Sequence, residues 1–280
     1  MPGDRAAGGT TAALLASELR VLLRRGRTWA MFGALAAIPV LLALVVFFST
    51  SPPGPGEGPP LLDKVTQNGM FVSVTALVVT TPLFLPLTIS VVSGDAIAGE
   101  AGLGTLRYLL VAPAGRLRLL VVKYAGAAVF AVLAPAVVLL VGWAIGSALF
   151  GVGEATLLSG DVIAPGGALA RSALVALHVA ISMLGLSAIG LFASTLTTVP
   201  VGAMAATAVL AVVAQVLGEL DQLAWLHPWL FTHHWLGMMD LLREPISLSG
   251  LTGNLVLQAG YIAFFGALAY GRFTTKDVLS

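Results

Sequence analysis

Acid–base chemistry inside the apolar part of this 280-residue chain rests on one side chain, His178, because no Asp, Glu, Lys or Arg falls within any long hydrophobic run. An imidazole in such a run is costly to bury unless it is bonded or used. It is read either as a neutral ring hydrogen-bonded across helices or as a contact for a proton or a substrate. Ser187 follows nine residues later in Gly185-Leu186-Ser187. A serine nucleophile needs a base within reach and oxyanion donors, and two common residues at this spacing offer neither, which leaves an intramembrane hydrolase as the weakest alternative. Ser73, Thr80, Thr81 and Thr88, interleaved with Leu77 and Phe84, share a helical face about 100° wide. That face either lines a substrate path or packs helices together. His227, His233 and His234 lie among Glu219, Asp221 and Asp240, but their spacing matches no metal-ligand pattern, so no metal is expected. The chain has no cysteine, which removes disulfides, thiolate ligands and sulfur nucleophiles together.

The elements that must position these residues are set by lipid. Hydrophobic residues make up 58% of the chain and charged ones 10%, with a mean hydropathy of +0.98, far from globular usage. A helix crossing the hydrocarbon core takes roughly 20 apolar residues. Six runs meet that demand: Trp29–Phe48, Met70–Val92, Tyr124–Phe150, Ser172–Phe192, Val201–Leu217 and Leu251–Tyr270. The first is too long for a signal-peptide core and is read as retained. Lipid offers backbone groups no partner and the alternation of a barrel is absent, so the expected fold is an all-α membrane protein with six transmembrane helices. Pro82 and Pro86 are expected to kink the second span and free carbonyls. In the fifth, Ala203, Thr207, Ala211 and Gln215 recur every four residues beside Gly202 and Ala206, a strip narrow enough for close approach, read as a contact between two chains through Gly202, Ala203, Ala206 and Thr207.

Net charge is +1, which gives no field to recruit nucleic acid. Location of charge is more informative. Eleven basic residues (Arg5, Arg20, Arg24, Arg25, Arg27, Arg107, Arg116, Arg118, Lys123, Arg272, Lys276) fall on one side of the spans and three (Lys64, Arg171, Arg243) on the other, which places both termini in the cytoplasm. The short turn Ala193–Pro200 belongs to that side yet carries no positive charge. From Ala12 to Thr28, Leu15, Leu19 and Leu22 share one face and Arg20, Arg24 and Arg27 the other, reading as an interfacial elbow helix on lipid. Pro52, Pro53, Pro55, Pro59 and Pro60 make the stretch from Ser49 to Gly69 an external connector.

The segment from Ser93 to Lys123 is cytoplasmic by this count but not uniformly polar. Leu103, Leu106, Leu109 and Leu110 recur at helical spacing and ask for an apolar partner, while Pro113 and Gly115 break the chain before a second basic stretch re-enters the membrane. The order Glu100, Gly104-Thr105-Leu106, Leu109-Leu110, Pro113, Arg116, Leu119-Leu120, Lys123 resembles the signature of ABC-2 type transporter permeases. The likeness extends along nearly the whole chain, through the elbow, the six spans and the closing Arg272-Phe273-Thr274-Thr275-Lys276-Asp277.

That resemblance implies a permease subunit in a bacterial plasma membrane. It would export a hydrophobic or amphipathic compound, such as a drug, an antibiotic or a lipid-like molecule, with ATP and Mg held by a separate ATP-binding subunit. It implies a coupling helix against that ATPase, with Glu100, Gly104, Thr105, Leu106, Arg107 and Pro113 as its residues, and short re-entrant helices before the last span, in a region where Trp225, Trp229 and Trp235 form an interfacial belt. The partners it implies are the ATPase, a second copy or a homologous permease, membrane lipid and a small-molecule cargo. No G-x-x-x-x-G-K-[ST] phosphate loop occurs in these residues. The expected organisation is a cytoplasmic segment 1–28, a transmembrane domain 29–271 with its coupling region at 94–123 and external region at 218–250, and a tail 272–280. The competing transport class, a proton-coupled secondary carrier, usually needs ionisable groups at mid-membrane.

Overall fold

The computed structural model describes residues 4–49, 61–104 and 115–275, with side chains from residue 11 onward. The chain is mostly helical: α1 (Asp4–Arg24), α2 (Gly26–Phe48), α3 (Met70–Thr80), α4 (Phe84–Gly102), α5 (Arg116–Phe150), α6 (Pro165–Leu196), α7 (Pro200–Gly218) and α8 (Ser249–Thr275). Five of these are long and apolar enough to cross a membrane, and α3 with α4, joined at a bend of 59°, counts as a sixth if the bent pair is one span. The prolines of the external connector and the tail residues Lys276 and Asp277 lie outside the described residues.

The bend has a local cause. Pro82 lacks an N–H and clashes with a continuing helix, so the chain breaks between Thr80 and Phe84. The carbonyl freed at Pro82 accepts a bond from Gln215 Nε2 of α7 at 2.6 Å, which satisfies it without water. Pro86 does not contribute a kink. It falls in the first turn of α4, where its missing N–H would have had no helical partner anyway.

The helices also run past the apolar segments. α4 continues from Val92 to Gly102 and α5 starts at Arg116, so much of the stretch read as a cytoplasmic loop is helix carrying its charges beyond the lipid. Only its middle, residues 105–114, lies outside the described residues.

The core is organised around α6. The apolar window of α6 is 78% buried against 11% for α8, so α6 is the central post and α8 faces largely outward. Close packing relies on missing side chains. A Cβ on Gly146 of α5 would overlap the Gly69 carbonyl at the start of α3, and one on Gly94 of α4 would sit 2.7 Å from the Met204 nitrogen of α7. Phe32 of α2 stacks on Phe130 of α5, with ring centroids 5.1 Å apart, closing the other side.

Between α5 and α6 the sequence reading assigned no element, but Ala155–Thr156 pairs antiparallel with Val162–Ile163 as a two-residue hairpin. Between α7 and α8 the chain forms three short 3-10 turns, Asp221–Leu223, His227–Trp229 and Trp235–Leu242. The last of them buries Trp235, Met238, Leu241 and Leu242 in the main core, where it packs on α6 and α8. Trp225 and Trp229 are exposed as a belt requires, but Trp235 is a core residue.

Candidate functional site

Two groups of polar side chains hold the helix bundle at its opposite ends. The first gathers where α1, α4 and α5 meet. The chain turns sharply from α1 into α2 at Arg25, a corner tied by the Thr28 hydroxyl donating to the Leu22 carbonyl at 2.7 Å and the Trp29 indole to the Leu23 carbonyl at 2.8 Å. That corner aims Arg25 and Arg27 at Asp95, a nearly buried carboxylate on α4, and both guanidinium groups pair with it. Alongside, Lys123 of α5, 5% exposed, bridges Glu18 of α1 at 2.8 Å and Glu100 of α4 at 3.2 Å. Arg27 is thus not on a lipid-facing arginine stripe, as the periodicity of α1 implied, because α2 starts a new helix before it. Leu15, Leu19 and Leu22 are half-buried, and α1 packs on α5.

The same end carries a small second core of Ile97, Leu119, Leu120, Leu191, Ala269 and Phe273. Arg116 donates to the last carbonyls of α8, Phe273 at 3.1 Å and Thr274 at 2.6 Å. The motif residues Arg116, Leu119, Leu120 and Lys123 therefore build the end of the bundle, and Glu100 joins them through Lys123. Gly104 ends α4 with a positive φ of 70°, which favours glycine, and Leu103 beside it is 76% exposed. Thr105, Leu106, Arg107 and Pro113 lie outside the described residues.

The hydroxyl face of span two is dispersed by the bend. Ser73, Thr80, Thr81 and Thr88 each donate to a carbonyl three or four residues earlier in their own chain, and the first three are fully buried. Phe84 is exposed beyond the break. Of these residues Thr81 lines a cavity, described below. In α7 the small-residue strip divides. Ala203 and Thr207 are buried within the chain; Gly94 of α4 abuts the Ala203–Met204 backbone and Gly190 of α6 lies against Thr207. Four-residue spacing alone does not say which neighbour a strip meets, and here these two meet α4 and α6 of their own chain. Gly202 and Ala206 face outward.

The second group holds the segment between α7 and α8 against the bundle, each time by a side chain donating to a backbone carbonyl. From α6, Arg171 reaches Leu241 and Arg243 at 2.9 Å each and pairs with Glu244, and His178 Nε2 lies 2.7 Å from the His234 carbonyl. A carbonyl only accepts, so that nitrogen carries the proton. From α8, Gln258 donates to Phe231 at 2.8 Å and Tyr261 to Trp229 at 2.7 Å. Asn254 completes the network by donating to Ser182 at 2.8 Å and accepting from Gln258 at 3.1 Å. His178, Ser182, Asn254 and Gln258 are at most 1% exposed. Arg171 and His178 are seven apart on α6, and Asn254, Gln258 and Tyr261 recur at four and seven on α8. That spacing was a legible sign of a polar seam on one helix face, and the sequence reading passed over it.

His178 and Ser187 form no hydrolytic pair. Nine residues of helix put them on opposite faces, and the Ser187 hydroxyl donates to Met183 at 2.9 Å in a fully buried position. Asp95 and Glu100 lie in the last two to three turns of α4, each paired with cations. His227 bonds the Leu220 carbonyl at 3.1 Å, and the His233 and His234 rings lie 4.7 Å apart. Among the described residues no group of three or more His, Asp or Glu side chains gathers to hold a metal ion. Burial, and then the adjacent His233, push the His234 imidazole below its ordinary value.

Comparison with known proteins bears on this arrangement. No curated protein matches the chain. The family described as "ABC-2 family transporter protein" matches residues 14–214, from within α1 to within α7. This range takes in the corner between α1 and α2, the ion cluster, the bend between α3 and α4 and the central helix, well over half of the sequence. The chain is a multi-pass membrane protein belonging to the ABC-2 transporter family, whose members are transporter membrane subunits that normally work with an ATP-binding subunit.

Proposed function

We propose that this chain is the membrane-spanning half of an exporter that moves a hydrophobic or amphipathic compound outward, driven by ATP and Mg on a separate subunit. Two such chains, identical or homologous, pair with two ATPases in a bacterial plasma membrane, with both termini cytoplasmic. Nucleotide-driven closure reaches the spans through the coupling region 94–123 and rocks them about α6.

The observation that carries this reading is the ion cluster of Glu18, Asp95, Glu100 and Lys123 with Arg25 and Arg27. It ties α1, α4 and α5 into one body where α4 and α5 leave the bundle toward the segment that the resemblance assigns to the ATPase. Force applied there moves three helices at once. In the same reading α1 is the elbow lying along the inner membrane face, and the capped segment between α7 and α8 dips back into the outer leaflet. The outward face of α7 at Gly202 and Ala206 meets the second chain.

The test uses the absence of cysteine, which makes any introduced thiol unique. Gly104→Cys with a short cross-linker should capture a Walker-motif subunit from membranes, and Gly253→Cys should not. Capture of lipid alone at both positions would remove the ATPase from the account.

A further inference from the structure

A cavity of about 130 Å³ opens near the end of α7, bounded by Thr81 and Pro82 of the bent span, by Gln215 and Glu219, and by His233 and Trp235 of the capped segment. It has room for about four water-sized groups. From this cavity we infer a binding site for an ammonium head group, at the C-terminal end of α7 with the Glu219 carboxylate as its counter-ion.

The lining is rich in negative potential. Among the described residues no Lys or Arg borders it, His233 is its basic side chain, and Glu219 is exposed. The cavity lies at the C-terminus of a 19-residue helix, the negative pole of the helix dipole. The amide of Gln215 already donates to Pro82 and the Thr81 hydroxyl to Leu77, so neither of these donors is free to draw an anion. The floor includes Trp235, which is 2% exposed. Its Nε1–H is buried with no protein partner, and an oxygen on the ligand beside the charged nitrogen, or a water carried with it, would satisfy it. A carboxylate and a helix C-terminus disfavour anions here, and the mixed lining, Leu230 and Leu236 beside Thr232 and Glu219, suits a head group with both polar and apolar surface.

This deepens the export reading by giving its cargo an amine-bearing head. An ethanolamine or choline lipid offers the same chemistry. Binding is measured on the full chain alone, without ATP or a partner, so failure of this site and failure of the exporter reading are separable.

The chain is placed in nanodiscs of phosphatidylglycerol and titrated with hexyltrimethylammonium, followed by tryptophan fluorescence. Wild type should saturate, and Glu219→Gln should weaken binding about fivefold, as for one partly exposed ion pair. Asp221→Asn, which removes a nearby carboxylate that does not line the cavity, should leave it unchanged. Trp235→Phe should weaken binding with the elution profile retained. Equal affinity in wild type and Glu219→Gln would overturn the site, and so would equal losses in Glu219→Gln and Asp221→Asn, the mark of general surface charge. Repeating the titration with phosphatidylethanolamine in the disc separates the sources: competition assigns the site to lipid, and unchanged affinity assigns it to cargo.

Discussion

The Lys123 ammonium lies 2.8 Å from the carboxylate of Glu18, a residue 105 positions earlier on a helix that starts outside the bundle. Lys123 is nearly buried and Glu100 approaches it from the opposite helix at 3.2 Å, so one cation neutralises two carboxylates. Lys123→Met should remove the cation that Glu18 and Glu100 share, at a cost of about 2–3 kcal/mol. Thermal unfolding in detergent should show a clear drop, and protease should release α1 first. The exchange Glu18→Lys with Lys123→Glu should recover only part of the loss, because Glu100 then opposes a carboxylate. Full recovery would mean that Glu100 contributes nothing to the cluster.

Gly94 and Gly202, both glycines of the membrane domain, should respond oppositely to bulk. A side chain at Gly94 meets the α7 backbone, so Gly94→Val should cost at least about 1–3 kcal/mol by overpacking and lower the melting temperature. Nothing lies within 4 Å of a Cβ at Gly202. Gly202→Trp should therefore leave the unfolding of one chain unchanged while lowering the fraction of dimer seen by light scattering. An unaltered dimer fraction would move the contact between chains away from this face of α7.

The six apolar runs were legible because a lipid solvent leaves the sequence little choice: length and absence of charge define a span. The helix ends were less so, since nothing in a run of composition says where a helix stops once it reaches water, and α4 runs on to Gly102 and α5 starts at Arg116, with Asp95, Glu100 and Lys123 in these extensions. Partners were least legible. Glu100 has the position of a coupling residue and Lys123 that of a topological anchor, yet their pairing depends on a tertiary approach of α4 to α5. Asp95 drew no reading of its own, because its two arginines come from a helix corner that periodicity treated as one continuous helix. The threonines of span two shared a face on a straight helix, and the bend at Pro82 divided that face.

The bonds to the capped segment should be separable by variant. His178→Leu leaves the His234 carbonyl buried without its donor, a loss of about 1–3 kcal/mol, whereas His178→Gln retains an N–H able to reach it. Amide hydrogen exchange across residues 229–243 should quicken in the leucine variant and stay near wild type in the glutamine variant. Gln258→Leu should act on the same segment through Phe231, with coupling to His178 because Asn254 touches both residues. Independent, additive effects would show that the polar seam is not one network.

The capped segment should also loosen in acid. Burial and then the His233 ring hold the His234 imidazole below the ordinary value near 6.5, so the packed segment keeps this ring neutral at a pH where an open one takes up a proton. As pH falls below about 6.5 the open form binds more protons than the closed form and the closed form loses stability. The loss levels off once the pH has passed the lowered value and both forms are charged. The ring leans on α8, with Nε2 3.0 Å from where a Cβ on Gly253 would lie, so its charging is felt at the α8 contact. Hydrogen exchange over residues 229–243 should therefore be slower, after correction for intrinsic rates, at pH 7.5 than at pH 5.5. The difference should shrink in His234→Gln, which cannot titrate, and an unchanged pH dependence in that variant would assign the effect to another group.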